Sequence, residues 1–204
     1  VLPWVHLASK PNGTLNPCCI SSEVVLKDKN SKAIYYNAAQ KFAAKAFMAD
    51  SNTADANYLK ALAAAKMTEV AEENKQIVAW VRQTKLYIDK AIMLNPKHAK
   101  ANYTIGKWHY EMVNLSWAKK TAVKALYGGL PKGDIDSAIY YMEQCRKLDM
   151  YFVQNYLDLA KAYQFKERPA QAIEVLNKLV KLPNRTPDDA ALKEEGKKML
   201  QDLQ

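Results

Sequence analysis

The chain of 204 residues, 49% of them hydrophobic and 25% charged, has the length and composition of an ordinary globular domain with its own core. No run approaches the roughly 18 to 20 apolar residues of a membrane-spanning helix, which excludes a transmembrane protein. Three cysteines, two of them adjacent, and three histidines without a partner at helical spacing argue against a disulfide framework and against a metal site.

Residues 1–30 differ in composition from the rest of the chain and are predicted to form an N-terminal arm. A Pro-Asn-Gly-Thr turn signal at 11–14 lies between apolar stretches, which is typical of a short hairpin. The start lacks a secretory signal and an initiator methionine, so we expect a processed chain or a fragment. A soluble protein is expected, periplasmic if it is a processed bacterial protein and otherwise cytoplasmic.

Residues 18–95 contain neither proline nor glycine, which predicts a set of long helices. Ser31 is predicted to cap the first helix, the second begins near Thr53 or Asp55, and the third ends at Leu94. Apolar residues recur at helical spacing in all three, so these stripes are expected to be core. The set expected to be buried in the first helix is Ile34, Ala38, Phe42, Ala46 and Phe47.

A further helix is predicted from about Ala99 to Val113, and an inserted amphipathic helix follows it. The residues predicted to face inward on the inserted helix are Leu115, Ala118, Ala122, Ala125 and Leu126. The outward basic face is Lys119, Lys120 and Lys124. Gly128 and Gly129 are predicted to end this helix. The remaining helices are predicted over 136–149, 151–165, 169–181 and 187–203.

The formal net charge of +9 is concentrated around this insertion. Residues 97–132 contain seven lysines and one acidic residue, Glu111. Such a cluster can steer an acidic partner to the surface, and it can equally be a solvated helix face. Specific nucleic-acid binding is disfavoured, because only four arginines are present and the planar guanidinium is the preferred group for phosphates and bases.

Small and aromatic residues recur at the offsets of tetratricopeptide repeats, whose period is about 34 residues. Gly106 takes the small position of one first helix, and His109 follows at the aromatic position. Ala160 and Tyr163 repeat this spacing, while the helix pair before Gly106 exceeds the consensus by roughly nine residues. The sequence predicts an all-α, tetratricopeptide-like solenoid of antiparallel helix pairs over 31–204, with an inserted helix and a C-terminal capping helix.

The family resemblance rests on the runs GKWHYE at 106–111, NLSW at 114–117 and ALYGGLP at 125–131. These runs resemble the regulator of microtubule dynamics family, including its helical insertion between the two halves of a repeat. The resemblance implies a non-enzymatic binding protein, and eukaryotic members of the family are associated with microtubules. The runs IYY at 139–141 and YLDLAK at 156–161 are closer to the bacterial branch, so the fold and the adaptor class carry over but the partner does not.

A tetratricopeptide-like geometry implies an inner groove lined by the first helix of each pair. The residues it places there are Lys100, Tyr103, Lys107 and Tyr110 from one pair, and Gln154, Lys161 and Gln164 from the next. Lysine and tyrosine together can pair a carboxylate and cover an apolar side chain, as recognition of an extended peptide requires. We therefore expect a scaffold or adaptor that binds an acidic protein or peptide through this groove.

A structural subunit is the alternative function, in which the apolar stretches Val1–Leu7 and Cys18–Ile20 dock the arm into a larger assembly. An enzyme has no support in the sequence. No Gly-rich phosphate loop and no Gly-x-Ser-x-Gly elbow is present, and the carboxylates are scattered on helix exteriors. No catalytic residue and no cofactor is predicted.

Overall fold

The computed structural model describes residues 8–9, 15–16 and 28–204, with side chains for 28–116, 120–126 and 128–204. The helices from residue 28 onward are α1 Lys29–Ala49, α2 Ala54–Met67, α3 Asn74–Leu94, α4 Ala99–Asn114, α5 Trp117–Tyr127, α6 Ile135–Leu148, α7 Val153–Phe165, α8 Pro169–Leu179 and α9 Asp189–Asp202. Before them, strand β1 (Ala8–Ser9) pairs antiparallel with β2 (Leu15–Asn16). The rest of the predicted arm lies outside the described residues, so the arm stays a prediction.

Polar side chains fix several helix starts by accepting hydrogen bonds from free backbone N–H groups. Asp28, Thr53 and Asp134 each accept from the N–H three residues later. His98 does the same for α4 through its Nδ1. The prediction that Ser31 caps α1 is wrong: Ser31 supplies the N–H that Asp28 accepts, and the helix therefore begins at Lys29.

The helices pack as antiparallel pairs, and short turns join the two helices of the first and third pairs. Helix α2 packs on α3, α4 on α6 and α7 on α8, while α1 precedes the first pair and α9 covers the last. Helix α5 lies between the two halves of the second pair and contacts α3. The predicted all-α, tetratricopeptide-like solenoid with an inserted helix and a C-terminal capping helix is confirmed.

One hydrogen bond recurs at the start of the first helix of every pair. Asn57 Nδ2 donates to the backbone oxygen of the residue six positions earlier, at 2.8 Å, and Asn102 Nδ2 does the same, also at 2.8 Å. In the third pair the hydroxyl of Tyr156 donates to the equivalent oxygen at 3.0 Å. Each bond ties a first helix to the turn before it, which shows that the three pairs are copies of one unit.

The first helix pair is longer than the tetratricopeptide consensus because its second helix is long. Helix α3 has 21 residues, whereas α6 and α8, the second helices of the other two pairs, have 14 and 11. The prediction of longer helices in this part of the chain is confirmed for α3.

The largest cluster of buried apolar residues lies between α6, α7 and α8. Its fully buried members include Met142, Leu157, Leu159, Leu176 and Leu179. Helix α9 covers this cluster with partly buried apolar side chains. A smaller cluster joins α2, α3 and α4. The core therefore runs between the helix pairs, and α9 covers it at the C-terminal end.

The predicted buried face of α1 is right only in part, since Ala46 and Phe47 are half-buried against α2 and α3 while the other three residues are exposed. Ile34 and Phe42 are 71% and 49% exposed, whereas Tyr36 and Ala43 are buried. Ala43 belongs to a small cluster with residues of α2, because its methyl group lets the two helices approach closely. The hydroxyl of Tyr36 donates to Glu69 at 3.1 Å and holds the same face of α1 on the turn that follows α2.

Of the residues predicted to face inward on the inserted helix, Leu115 is half-buried, the side chain of Ala118 lies outside the described residues, and the other three are exposed. Ala122 and Ala125 are exposed, and Leu126 is 69% exposed. The insertion is tied to α3 at its end, where Arg82 Nη2 donates to the backbone oxygen of Gly129 at 2.6 Å. Because α5 contacts only one neighbouring helix strongly within the described residues, much of its apolar surface stays in water.

His109 joins α4 to the loop that leads into α6, and we expect it to make the fold less stable in mild acid. The imidazole is 9% exposed, and its Nδ1 accepts a hydrogen bond from the Asp134 N–H at 3.2 Å. Burial, with a contribution from Lys85, holds the pKa of His109 below its usual value. The unfolded chain therefore takes up a proton near pH 6.5 that the folded chain resists, so stability present above about pH 6.5 is lost as the pH falls.

Urea unfolding of the wild type and of His109→Gln at about pH 7.5 and about pH 5.5 measures this effect. Glutamine keeps an acceptor in the side chain but does not titrate, so the variant should lose less stability between the two pH values. An equal loss in both proteins would show that other groups carry the pH dependence.

Candidate functional site

The residues predicted to line an inner groove stand on α4 and α7, the first helices of the second and third pairs, and we call the surface along these two helices the channel. Helix α4 contributes Lys100, Tyr103, Lys107 and Tyr110, and α7 contributes Gln154, Lys161 and Gln164. The two helices are in direct contact. Three of these seven side chains meet at one point, and the other four do not.

The meeting point is Asp158 of α7, which is 3% exposed. Its Oδ2 accepts hydrogen bonds from the Tyr103 hydroxyl at 2.7 Å, from Lys107 Nζ at 3.0 Å and from Gln154 Nε2 at 3.0 Å. Burial and the nearby carboxylate raise the pKa of Tyr103 well above its usual value, so its hydroxyl stays a donor at neutral pH. We name these four residues the Asp158 cluster.

Asp158 is a residue that the sequence analysis missed. The signal was present: Asp158 stands between Leu157 and Leu159 on a helix, and Gln154 precedes it by four residues. An acidic residue among buried leucines needs hydrogen-bonding partners, and residues four apart on a helix are neighbours. The partners on α4 could not be identified in this way, because they are 55 and 51 positions away.

Lys100 and Lys161 lie along the channel on either side of this cluster. Lys100 Nζ is 3.7 Å from Asp149 and 3.0 Å from the centroid of the Phe152 ring. Burial lowers the pKa of Lys100, while Asp149 opposes that change. Lys161 Nζ is 2.7 Å from Glu195 of the capping helix α9. Each lysine of the channel therefore already has a carboxylate of this chain beside it.

The far end of the channel is aromatic. The rings of Tyr110 and Phe165 meet edge to face with their centroids 6.0 Å apart. Phe165 is 45% exposed and Gln164 beside it is also exposed. This end offers apolar ring surface and an amide, without a charge of its own.

The basic face of α5 is only partly described. Lys120 Nζ donates to the backbone oxygen of Val113 at 2.9 Å, which ties the start of the insertion to α4. Lys124 is exposed. The side chain of Lys119 lies outside the described residues.

Two surface depressions, of about 270 Å³ and about 260 Å³, lie away from the channel. One is lined by Met67, Gln76, Ala79, Trp80 and Gln83, and the other lies between α8 and α9. Among the described residues no group of three or more His, Cys, Asp or Glu side chains is placed to hold a metal ion. The thiol of Cys145 is buried, and burial raises its pKa to about 12, which keeps it protonated and unreactive.

No helix between residues 28 and 204 combines the length and the apolar character that crossing a bilayer requires.

The family model described as Regulator of microtubule dynamics protein 1-3 matches residues 16–204. Regulator of microtubule dynamics protein 1 of Caenorhabditis elegans is 32% identical over 114 residues, which cover 56% of this chain and 50% of that protein. Regulator of microtubule dynamics protein 2 of Homo sapiens is 29% identical over 120 residues, which cover 58% of this chain and 29% of that protein. The chain thus spans half the length of these relatives or less.

A solved structure of a thermophilic tetratricopeptide protein from Thermus thermophilus shares the fold. The TM-score is 0.57 at 17% identity, and the match covers 88% of this chain and 87% of that chain. This likeness independently shows the tetratricopeptide-like architecture. The closer sequence similarity of residues 139–141 and 156–161 to the bacterial branch of the family stays a prediction.

Proposed function

The chain belongs to the regulator of microtubule dynamics family, and we propose that it is a non-enzymatic scaffold that binds a segment of a partner protein in the channel between α4 and α7. Family and fold together support a helical-repeat protein of the interaction class. The names of the relatives refer to microtubules, but this chain covers only part of each. We therefore state the partner by its chemistry, as an acidic segment with an apolar side chain.

The observation that carries this proposal is the Asp158 cluster. It crosses the channel and fixes the α4 side chains Tyr103 and Lys107 against α7. A preformed surface loses little side-chain freedom on binding, which favours affinity. Beyond the cluster, Tyr110 and Phe165 offer ring surface for an apolar side chain. The channel thus combines a rigid polar centre with an aromatic end.

The ion pairs of the channel differ in how readily a partner could exchange them. Lys161 and Glu195 are 33% and 53% exposed, and Lys100 and Asp149 are 41% and 30% exposed. Exposed pairs contribute about 0 to 1 kcal/mol, so an incoming carboxylate can replace Glu195 or Asp149 at small cost. Lys107 differs, because the side chain of its partner Asp158 is 4% exposed and cannot move into water. Lys100 and Lys161 are therefore the lysines proposed to meet an acidic partner, and Lys107 is a structural residue.

We expect Lys100→Gln combined with Lys161→Gln to weaken binding of channel ligands at least about tenfold. The ligands are peptides selected on the wild-type protein from a phage-displayed random library, and fluorescence anisotropy measures their affinity. Lys107 is left unchanged, because removing it would confound binding with stability.

The matched control is Lys178→Gln combined with Lys197→Gln, which removes the same charge from exposed pairs with Glu174 and Glu194. Its affinity should stay close to wild type. An equal loss in both double variants, or none in the channel variant, would contradict the channel proposal.

A deletion of residues 1–27 tests the alternative function, docking of the chain into a larger assembly by its N-terminal arm. The deletion keeps the Asp28 cap of α1, so docking by the arm would fail while channel binding would remain.

A further inference from the structure

The turns that join one helix pair to the next lie along one edge of the solenoid, where the channel helices α4 and α7 begin. In an array of antiparallel pairs, the second helix of each pair ends at the edge where the next first helix begins. The connections involved are 95–98 between α3 and α4, 149–152 between α6 and α7, and 180–188 between α8 and α9. We name these connections, with the last residues of α3 and α6, the turn edge.

Side chains bridge each connection to the next, so the turn edge is one continuous surface. Lys100, at the start of α4, reaches Asp149 and the ring of Phe152 in the following turn. The guanidinium of Arg185 lies 3.9 Å from the centroid of the Tyr151 ring, which joins the second turn to the third. The three connections therefore hold fixed positions relative to one another.

The turn edge exposes large apolar side chains in its first two connections. Met93 at the end of α3 is 69% exposed, and Leu94 beside it is 37% exposed. In the next connection Leu148, Met150 and Tyr151 are 41%, 57% and 39% exposed. A cluster of exposed methionine, leucine and tyrosine is typical of a binding surface, since aromatic residues and methionine are enriched at interfaces.

The cations of the turn edge face solvent without an acidic partner. Lys97, Lys147 and Lys181 are exposed and form no ion pair among residues 28–204. Arg185 contacts the ring of Tyr151 rather than a carboxylate.

The carboxylates of the same surface are paired within the chain or buried, except that Asp55 beside His98 of the first connection is 68% exposed. Asp149 is beside Lys100, and the buried Asp189 accepts hydrogen bonds from the backbone N–H groups of Arg185 and Thr186. Asp188, at the start of α9, is half-buried. The surface that a partner would meet is consequently apolar and positively charged.

We propose that the turn edge binds an extended, acidic, leucine-containing segment of a partner protein. Neighbouring helices are about 8 to 10 Å apart, and a chain in the extended polyproline II conformation advances about 3.1 Å per residue with three residues per turn. Every third side chain of such a segment therefore points the same way and meets the next connection. Leucines at that interval match the exposed apolar groups, and glutamates between them match the free cations. This surface adjoins the channel at Lys100, but its free cations Lys97, Lys147 and Lys181 are not channel residues, so either proposal can fail while the other holds.

The probe is a fluorescein-labelled peptide of about twelve residues with the repeating unit Leu-Glu-Glu, and anisotropy measures its binding to the full chain. We expect a dissociation constant below about 100 μM. The triple variant Lys97→Glu, Lys147→Glu, Lys181→Glu should weaken it at least about tenfold. The control triple variant Lys41→Glu, Lys75→Glu, Lys198→Glu makes the same change of charge at exposed positions elsewhere, and it should bind within about threefold of wild type.

Two further measurements separate the contributions of charge and of apolar surface. The double variant Met93→Ser, Met150→Ser changes only exposed side chains and should also bind at least about fivefold more weakly, with unchanged circular dichroism. Peptides with the units Gly-Glu-Glu and Leu-Gln-Gln should each bind more weakly than Leu-Glu-Glu. No binding of Leu-Glu-Glu by the wild type would overturn the proposal. Equal weakening by both lysine triple variants would show non-specific charge attraction and would overturn it as well.

Discussion

Asp158→Ala is expected to lower the free energy of unfolding by about 2 to 4 kcal/mol, because two partly buried donors are left without their acceptor at roughly 1 to 2 kcal/mol each. The Asp158 carboxylate is nearly inaccessible, and three side chains donate to its Oδ2. Without it, Tyr103 and Gln154 lose their acceptor inside the protein, while Lys107, which is 39% exposed, can turn toward water. Urea unfolding followed by circular dichroism measures the loss.

Two variants show whether the hydrogen bonds or the charge matter more. Asp158→Asn keeps the shape and one acceptor oxygen but removes the charge, and we expect it to cost about 1 to 2 kcal/mol. Glu174→Ala removes an exposed carboxylate that is 2.7 Å from Lys178, and it should cost no more than about 1 kcal/mol. If Asp158→Ala costs no more than Glu174→Ala, the cluster does not hold α4 and α7 together.

The sequence predicted helix boundaries well where proline or glycine restricts or frees the backbone in only one way. Pro96 cannot continue a helix, and α3 ends at Leu94. Gly128 and Gly129 take positive φ angles of 72° and 87°, which end α5. Pro169 opens α8 at a position where its missing N–H costs nothing. In each case the local backbone alone decides the outcome.

Helix faces were predicted poorly where alanine leaves the periodicity ambiguous. Helix α1 has apolar residues on two sides, and only contact with α2 decides that Tyr36 and Ala43 are buried while Ile34 is exposed. The inserted helix shows the same limit, since the exposed Leu126 fits a helical stripe with Ala122 and Ala125. Spacing identifies an apolar stripe, but it cannot show that another helix is present to cover it.

The positions of the channel residues follow from the repeat, but their electrostatic state does not. Lys100, Lys107 and Lys161 were expected to be available for an acidic partner, and each has a carboxylate beside it. Those carboxylates are 34 to 51 positions away in the chain, so nothing in the local sequence pattern links them. Net charge is a property of composition, whereas the charge that a partner meets depends on which lysines the fold leaves unpaired.

Gly106→Val is expected to lower the free energy of unfolding by about 3 kcal/mol, because α4 and α6 approach too closely there for a side chain. A Cβ atom at Gly106 would lie 2.9 Å from Met142 Cγ, 3.0 Å from the backbone oxygen of Ala138 and 3.1 Å from the backbone nitrogen of Met142. Two of these three atoms belong to the α6 backbone and cannot rotate away. Gly106→Ala should cost only about 1 kcal/mol, since better helix propensity offsets part of the overpacking.

The control for this series is Ala79→Val, at an exposed position within α3, which should cost about 0.5 kcal/mol from helix propensity alone. Similar losses for Ala79→Val and Gly106→Val would show that α4 and α6 separate easily. Met142→Ala then distinguishes the contact of Gly106 with the Met142 side chain from its contacts with the α6 backbone. It removes the Cγ atom, and by itself it should cost about 2 to 5 kcal/mol because Met142 is fully buried. Combined with Gly106→Ala, it should cost about 1 kcal/mol less than the sum of the two, as the new methyl group enters the space that Met142 leaves. Additive losses would instead assign the close approach to the α6 backbone, and the glycine would then set the distance between the two halves of the repeat.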